Sequence, residues 1–299
     1  VLWSEKKNQL ALDKTKHDSE QQRQKNIKTI LNELERLVGL QEVKQAVKEI
    51  YAWIEIQKKR QKERLATESQ VLHMIFKGNP GTGKTTVARL LGQLFKEMGV
   101  LPKGHLVEVE RADLVGEYIG HTAQRTREAV KKALGGILFV DEAYSLARGG
   151  EKDFGKESID VLVKQMEDQK DAFILILAGY NDEMEWFLET NPGLRSRFPI
   201  QIRFPDYNLS ELLAIADVML QQKQYVLNSG AREELRTVLQ TLKKSHINSG
   251  NARLVRNIIE AAIRQQAVRL LEARQVSRED LLTITREDLV RARQKINIC

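Results

Sequence analysis

Apolar positions change period along the chain, and the changes mark out its elements. From Ile27 to Ile56 the residues Ile30, Leu31, Leu34, Leu37, Leu40, Val43, Val47, Ile50 and Ile54 recur at helical spacing. The glycine in Val38-Gly39-Leu40 predicts a turn between two helices. Continuous runs then replace the helical period: Val71 to Phe76, Ile137 to Val140 and Phe173 to Ala178 predict buried strands, and His105 to Glu110 alternates like a half-buried one. A further short strand is expected from Ile200 to Phe204. Helical patterns fill the intervals, from Val87 to Phe95, from Ala123 to Leu134 with Thr122 as its expected cap, and from Ser158 to Met166. Strands alternating with helices predict an α/β fold with a parallel sheet. Phe204-Pro205-Asp206-Tyr207 ends the last strand, and from Ser210 to Ile296 the period is helical almost throughout, with breaks near Ser229-Gly230, Asn248-Ser249-Gly250 and Gln275-Val276-Ser277. The expected organisation is a polar arm or helix over 1–30, an α/β domain over 31–205 and a small helical domain over 206–299.

Gly78-Asn79-Pro80-Gly81-Thr82-Gly83-Lys84-Thr85-Thr86 fits GxxxxGK[ST], with a predicted strand leading in and a helix leading out. Such a loop turns successive N–H groups toward phosphate oxygens, and the helix N-terminus adds partial positive charge. Lys84 is then expected on the β- and γ-phosphates of ATP, and the Thr85 hydroxyl on Mg²⁺. Downstream, Asp141 and Glu142 stand at the C-terminal end of a buried strand, where open α/β sheets place their ligands. Asp141 suits Mg²⁺ held through its water shell, and Glu142 suits polarising a water for attack on the γ-phosphate.

Composition narrows the class. The 299 residues carry a net charge of +7, are 41% hydrophobic and 30% charged, and have a single cysteine, Cys299. No internal disulfide framework is possible, and no apolar run reaches the ~18–20 residues a membrane helix needs, so a cytosolic protein with no membrane partner is expected. The chain begins at Val1 rather than a methionine, as a trimmed chain would. Its positive balance suits acidic partners, but the basic residues, including Lys58, Lys59, Arg60, Lys62 and Arg64, read as solvated helix faces and are not interleaved with aromatics. A nucleic-acid role is therefore not the leading expectation.

Four further features need assignment. Tyr118 and Ile119, between Gly116 and Gly120, suit either a gripping loop or packing at a loop base. Asn181, at the exit of a core strand, is either a turn residue or a hydrogen-bonding group beside a γ-phosphate. Arg195 and Arg197 present two guanidinium groups before the last strand. Arg253 sits in the first turn of a helix, where a cation needs an anionic partner, either a nucleotide or a nearby Glu.

Taken in order, the glycine loop, the Asp-Glu strand end, the strand-exit Asn, the paired arginines and the helical bundle resemble an AAA+ ATPase, from about Leu31 to Ile296. The wording of Gly78 to Arg89, Gly116 to Thr122, Asp141-Glu142-Ala143-Tyr144, Ala178-Gly179-Tyr180 and Asn191-Pro192-Gly193 is similar to the CbbX and stage V sporulation protein K group. The resemblance implies a three-layer α/β/α core followed by a helical lid. It places Val38 and Gly39 by the adenine, Asn79, Pro80, Gly81, Thr82, Gly83, Lys84, Thr85 and Thr86 in Walker A, Asp141 and Glu142 in Walker B, Asn181 as sensor 1 and Arg253 as sensor 2. It makes Arg197, with Arg195 second, the arginine finger that reaches a neighbouring subunit's γ-phosphate, and Tyr118, Ile119 and Gly120 a pore loop that engages polypeptide. The implied activity is ATP hydrolysis by a homo-hexamer that remodels a protein client, in sporulation, with lid motion about Phe204 to Tyr207. The alternative is a nucleic-acid-dependent AAA+ motor or clamp-loading subunit.

Overall fold

The computed structural model describes residues 20–68, 71–118, 120–148, 153–244 and 250–295. Most of the expected arm, together with Ile119 of the expected pore loop, lies outside the described residues. By packing, the chain divides into two units. One takes the residues up to Leu37, Gln41–Lys77 and Lys84–Arg203; the other takes Val38–Leu40, Gly78–Gly83 and Phe204–Cys299.

In the first unit a helix over 20–36 (α1) and a second, α2 (Gln41–Lys62), flank the predicted glycine turn. Then β1 (Met74–Gly78), α3 (Lys84–Glu97), β2 (Leu106–Val109), α4 (Arg111–Leu114), α5 (His121–Ala133) and β3 (Ile137–Val140) alternate. A 3-10 turn (Ala143–Ala147) and α6 (Gly155–Asp168) lead to β4 (Ile174–Gly179), α7 (Asn181–Thr190), α8 (Pro192–Arg195) and β5 (Ile200–Phe204). The five strands are ordered β2-β3-β4-β1-β5, with β2, β3, β4 and β1 paired in parallel. Every residue of β1, β3 and β4 is buried, as expected of strands covered on both faces, and this explains their unbroken apolar runs. Phe76 meets Phe139 edge-on at 6.4 Å between ring centroids. Around Ile75, Leu138, Val140, Leu175 and Leu177 the core continues into Leu162 and Met166 of α6 and Met184, Phe187 and Leu188 of α7.

Thr122 does not cap α5. The helix starts two residues earlier than expected, at His121, after Gly120 in the left-handed region, and the buried Thr122 hydroxyl instead accepts the Gly116 N–H at 2.9 Å. The two ends of the Tyr118 loop are thereby tied at its base.

The second unit holds α9 (Leu209–Gln222), β6 (Val226–Leu227), α10 (Ser229–Lys244), α11 (Asn251–Leu271), α12 (Arg278–Leu282), β7 (Thr283–Ile284) and α13 (Arg286–Lys295). Asn208 opens α9 with a reciprocal capping box: its side chain accepts the Glu211 N–H at 2.9 Å, and Glu211 accepts the Asn208 N–H at 2.7 Å. α11 packs on α9 and α13, whose buried Asp288 accepts both arms of Arg269 at 2.9 and 3.0 Å. The two-residue parallel pairing of β6 with β7 is an element that helical periodicity gave no sign of.

Candidate nucleotide-binding site

Strand order and register bring the Asp-Glu strand end and the strand-exit Asn together within the first unit. β3, β4 and β1 lie side by side, with Val140 paired to Leu177 and Lys77 paired to Gly179. Asp141, one residue beyond β3, and Asn181, two beyond β4, therefore emerge at the same edge at which β1 ends. Asp141 donates its N–H to Val109 O at 3.0 Å, and its Oδ1 accepts the Glu142 N–H at 3.0 Å. Glu142 itself is left-handed, at φ 47° and ψ 43°. A non-glycine residue there costs about 1–2 kcal/mol, and such strain concentrates at functional positions. Asn181 donates Nδ2 to Asp182 Oδ1 at 3.0 Å, whereas its buried Oδ1 has no partner among the described residues. A buried acceptor without a donor is costly unless something else meets it.

Lys84 and Thr85 open α3, and the Thr85 hydroxyl donates to Glu108 Oε1 of β2 at 3.4 Å. Glu108 is a carboxylate that motif reading missed; its signal was the alternation of β2, which points every second residue toward one face. Tyr144 stacks under the Arg148 guanidinium at 4.4 Å, and burial, with the Glu142 carboxylate adding to it, pushes its phenol well above the ordinary range. Among the described residues no cluster of three or more His, Cys, Asp or Glu forms a metal cage. A hydroxyl plus one carboxylate is the donor set that suits a cation keeping most of its waters, as Mg²⁺ does.

The two arginines differ. Arg197 gives Nε and Nη2 to Glu167 and Nη1 to Gly193 O at 2.7 Å, whereas Arg195 is 63% exposed with one loose pair, 3.7 Å to Glu185. Glu185 also pairs with Lys77, whose side chain is only 7% exposed. Tyr118 is 65% exposed, with its ring edge-on to His121.

The second unit brings together Val38–Leu40, the glycine loop over 78–83 and the start of α11. Gly39 is left-handed, and a Cβ there would lie 2.4 Å from Glu211 Oε1; Leu40 approaches Gly83, as does the Tyr207 hydroxyl. Gly81 is also left-handed, and a Cβ on it would lie 2.4 Å from Gly250 O. Arg253 is exposed, and among the described residues it makes no ion pair, so of its two readings the nearby Glu is not found. Asn251, Asp206 and Tyr207, none of them singled out by motif, contact the loop directly.

These features are those of a P-loop α/β unit joined to a helical unit. The chain belongs to the AAA ATPase family: residues 74–206 match the model of the ATPase family associated with various cellular activities, and 208–297 match the AAA lid domain. Among its relatives are stage V sporulation protein K of Bacillus subtilis, 60% identical over 88% of this chain and 82% of that protein, and CbbX of Cereibacter sphaeroides, 46% identical over 88% and 86%. The chloroplastic ribulose bisphosphate carboxylase/oxygenase activase of Cyanidioschyzon merolae is 43% identical over 91% of this chain and 94% of its own length. Among solved structures, the FIGL-1 AAA domain covers 87% of this chain and 82% of its own, with a TM-score of 0.56 at 17% identity, which speaks for the fold.

Proposed function

We propose that this chain hydrolyses ATP as a homo-hexamer and uses the turnover to remodel a protein client, in sporulation. The reading is supported by the family, by the 60% identity to a stage V sporulation protein and by the relatives named as a rubisco activase and CbbX. In this reading the N–H groups of the loop from Asn79 to Thr86 bind the phosphates, Lys84 balances the β- and γ-phosphate charge, and Val38 and Gly39 border the adenine. Thr85 and Asp141 are the residues that would hold Mg²⁺, which when bound neutralises phosphate charge. Glu142 takes a proton from the attacking water, and the unpartnered Asn181 Oδ1 accepts that water's other hydrogen and so aims it. Arg197 or Arg195 of a neighbouring copy completes the site, Arg253 senses the terminal phosphate from the lid, and the Tyr118-Ile119-Gly120 loop grips the client.

A single observation carries the chemical part. A strained Glu142 and an Asn181 with a buried acceptor unmatched among the described residues follow adjacent core strands, on the edge at which β1 ends. Glu142→Gln keeps shape while removing the base, so nucleotide binding should persist and phosphate release should fall at least about 10²-fold. Binding is read by calorimetry and turnover by phosphate release. Undiminished turnover would remove Glu142 from the role of base.

A further inference from the structure

The phosphate loop is held from behind. A loop that turns its N–H groups toward phosphates turns its carbonyls outward, and each carbonyl then needs a donor. Within the second unit these donors are supplied one after another. Pro80 O accepts from Asn251 Nδ2 at 3.3 Å, Gly81 O from the Ala252 N–H at 3.1 Å, and Thr82 O from the Tyr207 hydroxyl at 3.1 Å. Asn79 O is met by the Thr82 hydroxyl at 2.8 Å, and the Asn79 amide donates to both oxygens of Asp206 at 2.9 Å. Of the groups backing the loop, Ala252 and Asn251 form the first turn of α11.

Asn251 joins these contacts. It is 2% exposed, and its Oδ1 accepts the Tyr207 N–H at 3.0 Å while Nδ2 serves both Pro80 O and, at 2.8 Å, Asp206 Oδ1. One primary amide thus links the glycine loop, the segment that follows β5, and α11. Its φ of 46° is left-handed, a conformation that asparagine tolerates better than other non-glycine residues. No smaller side chain offers an acceptor and two donors at once. Tyr207 is kept a donor by burial, with Glu211 adding to it, which pushes its phenol up to about 12.

We propose that Asn251 is a positioning residue that locks the first turn of α11 to the carbonyl side of the phosphate loop, so that any adenine nucleotide seated on the loop, with or without a terminal phosphate, orders α11. The proposal rests on the ATPase reading and deepens it: the arginine two residues on reports the terminal phosphate, whereas Asn251 reports occupancy of the loop. Coupling through Arg253 alone would need ATP. Coupling through the loop carbonyls works with ADP as well.

The test is amide hydrogen exchange of peptides from α11 in the full chain, without nucleotide, with ADP and with a non-hydrolysable ATP analogue, together with KM and kcat for ATP. In the unsubstituted chain ADP should slow exchange in the first turns of α11 about 10-fold or more. Arg253→Ala should keep that ADP-induced protection. Asn251→Gly, which accepts the left-handed backbone but lacks the amide, should lose it with either nucleotide and raise KM about 10-fold. A purely structural role would lower the melting temperature of Asn251→Gly yet leave nucleotide-induced protection intact, and that result overturns the proposal, as does loss of the ADP response in Arg253→Ala. If Asn251→Gly does not fold, Tyr207→Phe decides, since it deletes only the hydroxyl on Thr82 O. About a 3-fold loss of protection there supports the coupling, and none refutes it. Failure of the unsubstituted chain to bind or turn over ATP would instead sink the ATPase reading, a separate outcome.

Discussion

His73, just ahead of β1, is buried, and its Nδ1 accepts the Leu175 N–H at 3.0 Å, which fixes the ring as neutral with its proton on Nε2. Burial lowers its pKa from the ordinary 6.5 to about 4. The unfolded chain therefore binds a proton at this residue before the folded one does. Stability from the neutral ring is fully present above pH 6.5 and drains away between 6.5 and about 4, amounting to roughly 3 kcal/mol over that window. His73→Asn keeps an acceptor for Leu175 and cannot titrate, so urea unfolding followed across that window should show a flatter profile for the variant. An equal slope in both proteins would assign the acid sensitivity elsewhere. Legibility at this scale followed distance along the chain. Lys84, Thr85, Asp141 and Glu142 lie in contiguous motifs, so their chemistry could be read directly. Asn251 could not, because its partners Pro80 and Asp206 lie 171 and 45 residues away and nothing local marks the encounter. The left-handed backbone of Glu142 was equally invisible, since that strain is imposed by the surrounding fold rather than by residue type.

Among the elements, α7 links the end of β1 to a candidate site residue. It begins with Asn181, and one turn later Glu185 Oε1 accepts from Lys77 Nζ at 2.5 Å, while Gln201 of β5 accepts from the same ammonium at 2.7 Å. A nearly buried cation at the end of β1 thus fastens the helix that carries the candidate sensor. Glu185→Leu leaves that ammonium with a neutral partner only and should cost about 2–3 kcal/mol, toward the low end for a broken pair because Glu185 is more than a third exposed. Lys77→Met combined with Glu185→Leu removes the stranded charge and should regain most of the loss. Urea midpoints for the two single variants and the pair check this; a pair no more stable than Glu185→Leu would mean that packing, not charge, sets the cost. The strands were the most readable elements, because β3 and β4 are apolar from end to end. The start of α5 was misread: Thr122 has the residue type of a cap, but the Gly116 N–H competes successfully for its hydroxyl.

For the whole molecule, the proposed finger in trans makes turnover a property of the assembly. Rate per chain should rise with protein concentration and then saturate, and removing the finger should cost about 10³-fold or more. Arg195→Ala and Arg197→Ala, measured separately, identify which guanidinium matters; the sequence favours Arg197, while Arg195 is the less engaged in the described structure. Mixing the impaired variant with Glu142→Gln chains, which lack a base but keep their arginines, should restore turnover above that of either alone. Rates independent of concentration, with no gain on mixing, would exclude a shared site. Finally, Gly78–Gly83 belongs by its packing to the unit that begins again at Phe204, although the segments before and after it belong to the other. A cut at Pro205 would therefore part the loop from the segments it packs with. A fragment ending at Arg203 would carry the complete motif yet leave the outward oxygens of Pro80, Gly81 and Thr82 to solvent, because their donors Asn251, Ala252 and Tyr207 all lie beyond the cut.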